Sequence, residues 1–285
     1  MSTSPDADHL IERSIRRYRR AHSRYERRHP EIFNDVEQTR LRSALERACR
    51  DAPGRRTLDF GCGSGNVTAH LLDLGMEVTA ADLSPEFLQT VERRFGVPTL
   101  RLNGRDLAGV ADRSYDLVAA YSVLHHIPDY LTAVRELARV TAAGGIVYLD
   151  HEANDGFWAP GGCAHHLRIE WQERRLAAPG FWNPERRRWQ RYLMPSKYAL
   201  GMRLLFDPDY LFGIEGDIHV WAEDRIEWDQ VVEALEEAGC EVAWREDYLN
   251  HNPDYPRDLY EAYRDRGCTD MTALAARRAG DLAPA

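Results

Sequence analysis

Leu58-Asp59-Phe60-Gly61-Cys62-Gly63-Ser64-Gly65-Asn66-Val67-Thr68 is the stretch whose reading decides the fold. An apolar run, three glycines at alternate positions and the onset of a helical pattern read as strand, tight turn and helix. Glycine lets backbone approach a ligand where a Cβ would collide, and the free N–H groups at a helix start favour a carboxylate or phosphate. The dinucleotide fingerprint needs G-x-G-x-x-G, whereas this turn is G-x-G-x-G with Asn66 following. No GxxxxGK[ST] phosphate loop is present. Taken alone, the glycines also fit a plain strand–helix turn.

The next strand ends at Asp82 in Ala80-Ala81-Asp82-Leu83-Ser84-Pro85. A carboxylate about 20 residues after such a loop lies beside it in the sheet and can accept both hydroxyls of a ribose. A helix cap is the competing role for Asp82, but Ser84 before Pro85 already supplies one. Leu83 would pack on an adenine face.

Outward from this point, strand-like runs (57–60, 77–82, 115–122, 145–150) alternate with helix-like runs (66–74, 85–95, 129–140). Such alternation predicts an α/β, doubly wound, mostly parallel sheet with helices on both faces. Residues 151–225 lose the rhythm and hold Trp158, Trp171, Trp182, Trp189 and Trp221, which suggests an inserted cap. A helix at 226–238 and strands near 241–249 and 271–278 restore it. Upstream, Ile11, Ile15, Tyr18, His22, Tyr25 and His29 form one helical stripe that Pro30 ends. A second helix is expected to start at Asn34, with Glu37 reaching back to the cap. The expected organisation is an N-terminal helical segment (1–55), a core (56–150 and 226–280) and a cap (151–225).

LDFGCGSGNVT, AADLSPEFL, YDLVAAYSVLHHIPD (115–129) and AAGGIVYLDHE (142–152) resemble successive motifs of the class I S-adenosylmethionine-dependent methyltransferases, most closely the small-molecule group. The resemblance covers 57–150 and, more loosely, 226–278. It implies a seven-stranded Rossmann-like sheet whose last strand, MTALAARR, is antiparallel. It also implies S-adenosylmethionine as cofactor, held by Gly61, Cys62, Gly63, Gly65, Asp82 and Leu83. Asp106 would accept from the adenine amino group, with Leu107 beside it. Tyr121, after the fourth strand, would face donor and acceptor, and Tyr18 would belong to an N-terminal lid. Plain packing of that helix is the equal alternative.

Methyl transfer needs alignment of a nucleophile and exclusion of water, and a base only when the nucleophile must lose a proton. His151 and Glu152 end the fifth strand, where open sheets place ligands, so they are the candidate catalytic pair, with Glu152 raising the proton affinity of His151. His125 is a further candidate. Tyr25, His126, Trp158 and Trp221 are candidate substrate contacts. Cys163, His165 and His166 sit on what reads as an irregular loop without metal-ligand spacing, so no metal is expected.

The 44% hydrophobic and 29% charged composition is globular. No apolar run approaches the roughly 18 residues of a membrane span. The polar first ten residues carry no secretory pattern, and five cysteines without a CxxC pair fit free thiols, so a cytoplasmic location is expected. The net charge of −9 is divided between a basic first 56 residues and an acidic remainder. That balance favours a small-molecule acceptor over nucleic acid, although the cap interleaves arginines with tryptophans. Homo-oligomerisation stays open. The competing functions are a nicotinamide oxidoreductase, against which Asn66 counts, a non-catalytic donor-binding protein and an RNA methyltransferase.

Overall fold

The computed structural model describes residues 10–12, 15, 25–177, 218–219 and 224–280. Tyr18, Trp221 and most of the expected cap, including Trp182 and Trp189, lie outside these residues. The described strands are β1 (Arg56–Phe60), β2 (Glu77–Asp82), β3 (Thr99–Arg101), β4 (Tyr115–Tyr121), β5 (Thr141–Ala153), β6 (Cys240–Tyr248) and β7 (Met271–Arg278). They form one sheet in the order β3-β2-β1-β4-β5-β7-β6. β7 runs antiparallel to both neighbours, and the other pairs are parallel. The chain leaves β1 in one direction and returns at β4 in the other. The crevice beyond the carboxyl ends of β1 and β4 is therefore where such a sheet can hold a ligand.

Helices cover both faces because the central strands are apolar on both sides; β4 is buried at all but its first residue. On one face, α2 (Asp35–Asp51), α3 (Asn66–Asp73) and α4 (Pro85–Phe95) contribute Leu41, Leu45, Val67, Leu71 and Val91. On the other, α5 (Tyr130–Val140) and α8 (Trp228–Glu237) contribute Val134, Leu137, Val231 and Leu235. A smaller cluster of Leu167, Leu249, Leu259 and Tyr263 joins α7 (Cys163–Ala177) to α9 (Arg257–Arg264).

Several local expectations change. Asn34 does cap α2, its Oδ1 accepting from the Glu37 N–H at 3.1 Å. Glu37 does not reach back; its carboxylate accepts from Arg40 Nε at 3.1 Å and from the His251 N–H at 2.7 Å. A cationic side chain one turn on and a long-range amide outcompete the cap. Cys163, His165 and His166 lie in the first turn of α7 rather than on a loop. β5 continues to Ala153, three residues past its expected end at Asp150 and into the expected cap. Between the short α1 (Tyr25–Arg28) and α6 (Asp155–Trp158), no helix among the described residues is long and apolar enough to cross a membrane.

Candidate active site

The glycine turn is shaped from beneath. The N–H groups of Gly61 and Cys62 donate to the carbonyl of Ala81 at 2.8 and 2.9 Å, which fastens the end of β1 to β2. Gly61 and Gly65 have φ of 74° and 91°, and a Cβ on either would meet Val123 or Phe95 at 2.4 or 2.5 Å. Gly63 differs: its φ is 50°, but an added Cβ would meet nothing within 4 Å. That open direction is the cleft.

The cleft measures about 920 Å³ including its mouth. Gly61, Gly63, Asp82 and Leu83 line it, as do Asp106 and Leu107, while Tyr25 and His126 contribute from other segments. Cys62 and Gly65 hold the turn from outside the lining. Asp82 is 8% exposed. Its Oδ2 accepts from the Gly63 N–H at 2.9 Å and its Oδ1 from the Ser84 N–H at 2.7 Å. Burial pushes its carboxyl up to about 6 against these stabilising bonds. With a further backbone bond from Leu83, the carboxylate still keeps acceptor capacity. Ser84 also caps α4, accepting from the Phe87 N–H at 3.3 Å, so Asp82 is free of that task.

Asp106 is exposed at the rim, and a 2.7 Å bond from Asn103 leads the effects that hold its carboxyl below the usual range. The Leu107 segment is clamped by α5: its N–H donates to Glu136 at 2.9 Å, and Arg139 donates to its carbonyl at 2.9 Å. Ile11 and Tyr25 reach the cleft from the N-terminal segment. Tyr25 meets Phe87 edge-on at 5.5 Å, and Glu26 pairs with Arg94 at 3.2 Å.

Behind the cleft, the ends of β4 and β5 form a polar wall. Ser122 and His151 have φ of 56° and 64°, a left-handed backbone that costs about 1–3 kcal/mol at non-glycine residues and gathers at functional sites. The Ser122 N–H donates to the Asp150 carbonyl at 2.9 Å. His151 is the extra residue where the β5–β7 register shifts between Asp150 and Glu152. Its Nδ1 lies 3.2 Å from the Tyr121 hydroxyl and 3.1 Å from that of Tyr248. Burial, then Arg40 and nearby histidines, hold its imidazole well below the ordinary value.

Glu152 turns away from His151. It accepts from the N–H groups of Val123 and Leu124 at 2.8 and 2.7 Å and meets His125 Nδ1 at 2.7 Å. The proximity expected to raise the proton affinity of His151 is therefore absent: the bulge rotates one residue out of line, and unpaired amides after β4 claim the carboxylate. His151, Glu152, His125 and Tyr121 do not line the cleft; Ser122 and Val123, beside them, do. Trp158 lies apart on α6, stacked edge-on against Phe157, with its indole N–H sealed and unpartnered.

The family described as methyltransferase domain matches residues 58–149, the segment that carries the turn, Asp82, the Leu107 clamp and β5 as far as Leu149. That match spans about a third of the chain and makes this part similar to a methyltransferase domain. A ubiquinone biosynthesis O-methyltransferase of Xanthomonas campestris pv. campestris is 34% identical over 102 residues, which are 34% of this chain and 43% of that protein. One from Xanthomonas euvesicatoria is 35% identical over 101 residues, 34% and 42% of the two chains. The chain thus matches less than half the length of these curated relatives. Among solved structures, an S-adenosylmethionine-dependent methyltransferase from Mesorhizobium loti superposes with a TM-score of 0.53 at 16% identity, covering 87% of this chain and 98% of that one. The [4+2]-cyclase SpnF gives 0.52 at 17% identity, covering 87% and 83%. At these identities the superpositions report the fold.

Three residues at the polar wall carried no sequence signal. Arg40, Asp150 and Tyr248 come from α2, β5 and β6 and meet only in the folded chain. Beneath the glycine turn lies a second buried acid, Asp59, 1% exposed and bonded by the Thr68 hydroxyl. Desolvation, with Asp82 adding to it, raises its carboxyl to about 7. Folding therefore opposes its ionisation. The resulting loss of stability is absent below about pH 4, grows as pH rises toward 7 and is constant above. Asp59→Asn keeps an acceptor for Thr68 and removes this loss. Its Tm advantage over wild type is expected to be larger at pH 8 than at pH 5; a constant difference would refute the assignment.

Proposed function

We propose that this chain transfers a methyl group from S-adenosylmethionine to a small-molecule acceptor at oxygen, nitrogen or carbon, oxygen being the choice that the relatives support. The observation that carries the reading is the cleft over the glycine turn. Gly63 leaves room that any Cβ would fill, the buried Asp82 carboxylate keeps acceptor capacity, and Leu83, Asp106 and Leu107 border the same space. Those residues fit a nucleoside, with Asp82 on the ribose hydroxyls and Asp106 near the base edge. S-adenosylmethionine, when bound, supplies a methyl group on a positively charged sulfur. The chain's part is to hold the donor, bring the acceptor to the ends of β4 and β5, and exclude water. Ile11 and Tyr25 support a lid role for the N-terminal segment.

The expected result is a calorimetric binding signal for S-adenosylmethionine and S-adenosylhomocysteine, and S-adenosylhomocysteine release with some members of a panel of small hydroxylated or amino compounds. Absence of nucleoside binding would overturn the proposal. Because the fold is shared with a [4+2]-cyclase, the second reading is a donor-binding protein that does not transfer the methyl. Tight binding without release across the panel would favour it.

A further inference from the structure

We infer that Asp150 and Tyr248 lock His151 in the tautomer that carries its proton on Nδ1, so that a bare Nε2 receives the O–H or N–H of the methyl acceptor. The inference rests on the proposed transfer reaction and adds to it the state of one ring and the residues that set it.

The argument follows the protons. Asp150 is wholly buried and acts only as an acceptor. Arg40 Nη2 donates to Oδ2 at 3.0 Å, the His151 N–H donates to Oδ1 at 2.7 Å, and the hydroxyls of Tyr148 and Tyr248 donate to Oδ2 and Oδ1. The Tyr248 bond is 3.0 Å long. Tyr248 has a single proton, and an ionised carboxylate binds it more strongly than a neutral imidazole does. Toward His151 Nδ1, 3.1 Å away, Tyr248 can then offer only a lone pair. Two lone pairs at that distance repel, so Nδ1 must be the donor. Tyr121, 3.2 Å from the same nitrogen and stacked on the ring, accepts a share of that hydrogen. Were Tyr121 the donor instead, the Tyr248 contact would be repulsive.

With the proton on Nδ1, Nε2 carries a lone pair. The side-chain nitrogens sealed from solvent without a partner belong, among the described residues, to Arg40, Asn66, Trp158 and Trp244. Nε2 makes no hydrogen bond to a described residue and is not one of them. His151, 6% exposed, stands at the end of β5, one residue beyond the Asp150 carbonyl that holds Ser122 at the cleft. When an acceptor hydroxyl or amine attacks the donor methyl, a C–O or C–N bond forms as the methyl–sulfur bond breaks. The sulfur leaves with that electron pair as S-adenosylhomocysteine, and the acceptor's proton passes to Nε2. Nδ1–H stays on Tyr248, whose own bond to Asp150 spreads the positive charge that develops. Tyr248 and Asp150 are positioning residues, Arg40 fixes Asp150, and His151 is the group that touches the acceptor.

The test is direct. In the full chain labelled with ¹⁵N-histidine at pH 7, two-bond ¹⁵N–¹H correlation spectra distinguish a protonated from a bare ring nitrogen. His151→Gln identifies its signals among those of the 11 histidines. The expected wild-type state is protonated Nδ1 and bare Nε2. Tyr248→Phe removes the competing lone pair and lets Tyr121 donate, so the tautomer should switch to Nε2–H. Tyr121→Phe should leave the wild-type tautomer in place. With an acceptor in hand, Tyr248→Phe should lower kcat roughly 10–100-fold with KM for the donor little changed. A wild-type ring protonated on Nε2 would overturn the inference without any variant having to fold. So would a Tyr248→Phe protein that keeps the wild-type tautomer. Calorimetric donor binding, measured on the same samples, reports separately on the proposed function.

Discussion

Asp150→Ala is expected to destabilise the fold by about 3–5 kcal/mol, the range for removing one partner of a buried ion pair. The carboxylate is fully buried and gathers Arg40, Tyr148, Tyr248 and the His151 amide. Without it, the Tyr148 hydroxyl and the His151 amide lose their acceptor, and Arg40, which already has one sealed nitrogen lacking a partner, keeps only Glu37. The Arg40 guanidinium also lies 3.7 Å from the centre of the Tyr248 ring, so its loss of fixation would disturb that contact as well. Urea unfolding of wild type and variant measures the difference. Removing both charges together, in R40M/D150N, should destabilise less than Asp150→Ala alone. A loss below about 1 kcal/mol in the single variant would contradict this account.

Asp82→Ala is expected to weaken S-adenosylmethionine binding by about 10- to 150-fold, equivalent to about 1.5–3 kcal/mol for hydrogen bonds to a charged group. The substitution removes the acceptors aimed at the cleft and releases the Gly63 and Ser84 amides that shape its floor. The pH dependence has a definite sign. The Asp82 carboxyl titrates at about 6, so the charged form is depleted as pH falls below that value. Wild-type affinity should decline between pH 7.5 and 5, while the alanine variant should lose most of that dependence. Calorimetry at both pH values tests the two statements together. Equal affinities in wild type and variant would remove Asp82 from the donor site.

The sequence alone determined the layered sheet, the crevice and the glycine turn with Asp82 beside it. Those features are local. The glycine turn, Asp82 and the Ser84 cap lie within 25 residues of one another, and each relies on backbone chemistry that Gly, Asp or Ser supplies wherever the fold places it. Strand and helix periodicity did the rest, down to an antiparallel MTALAARR, because burial on two faces leaves a regular pattern in the chain.

Only the tertiary structure decided the polar wall at the ends of β4 and β5. Glu152 and His151 are adjacent in sequence, yet the bulge at β5 sends Glu152 to the amides of Val123 and Leu124 and His151 to two tyrosines. Glu37 shows the same competition, leaving its own helix cap for Arg40 and a residue more than 200 positions away. Arg40, Asp150 and Tyr248 have no shared spacing that a reader of the chain could recognise. What joins them is desolvation: once β5 is buried, its carboxylate must find donors, and the fold supplies them from whichever elements pass nearby.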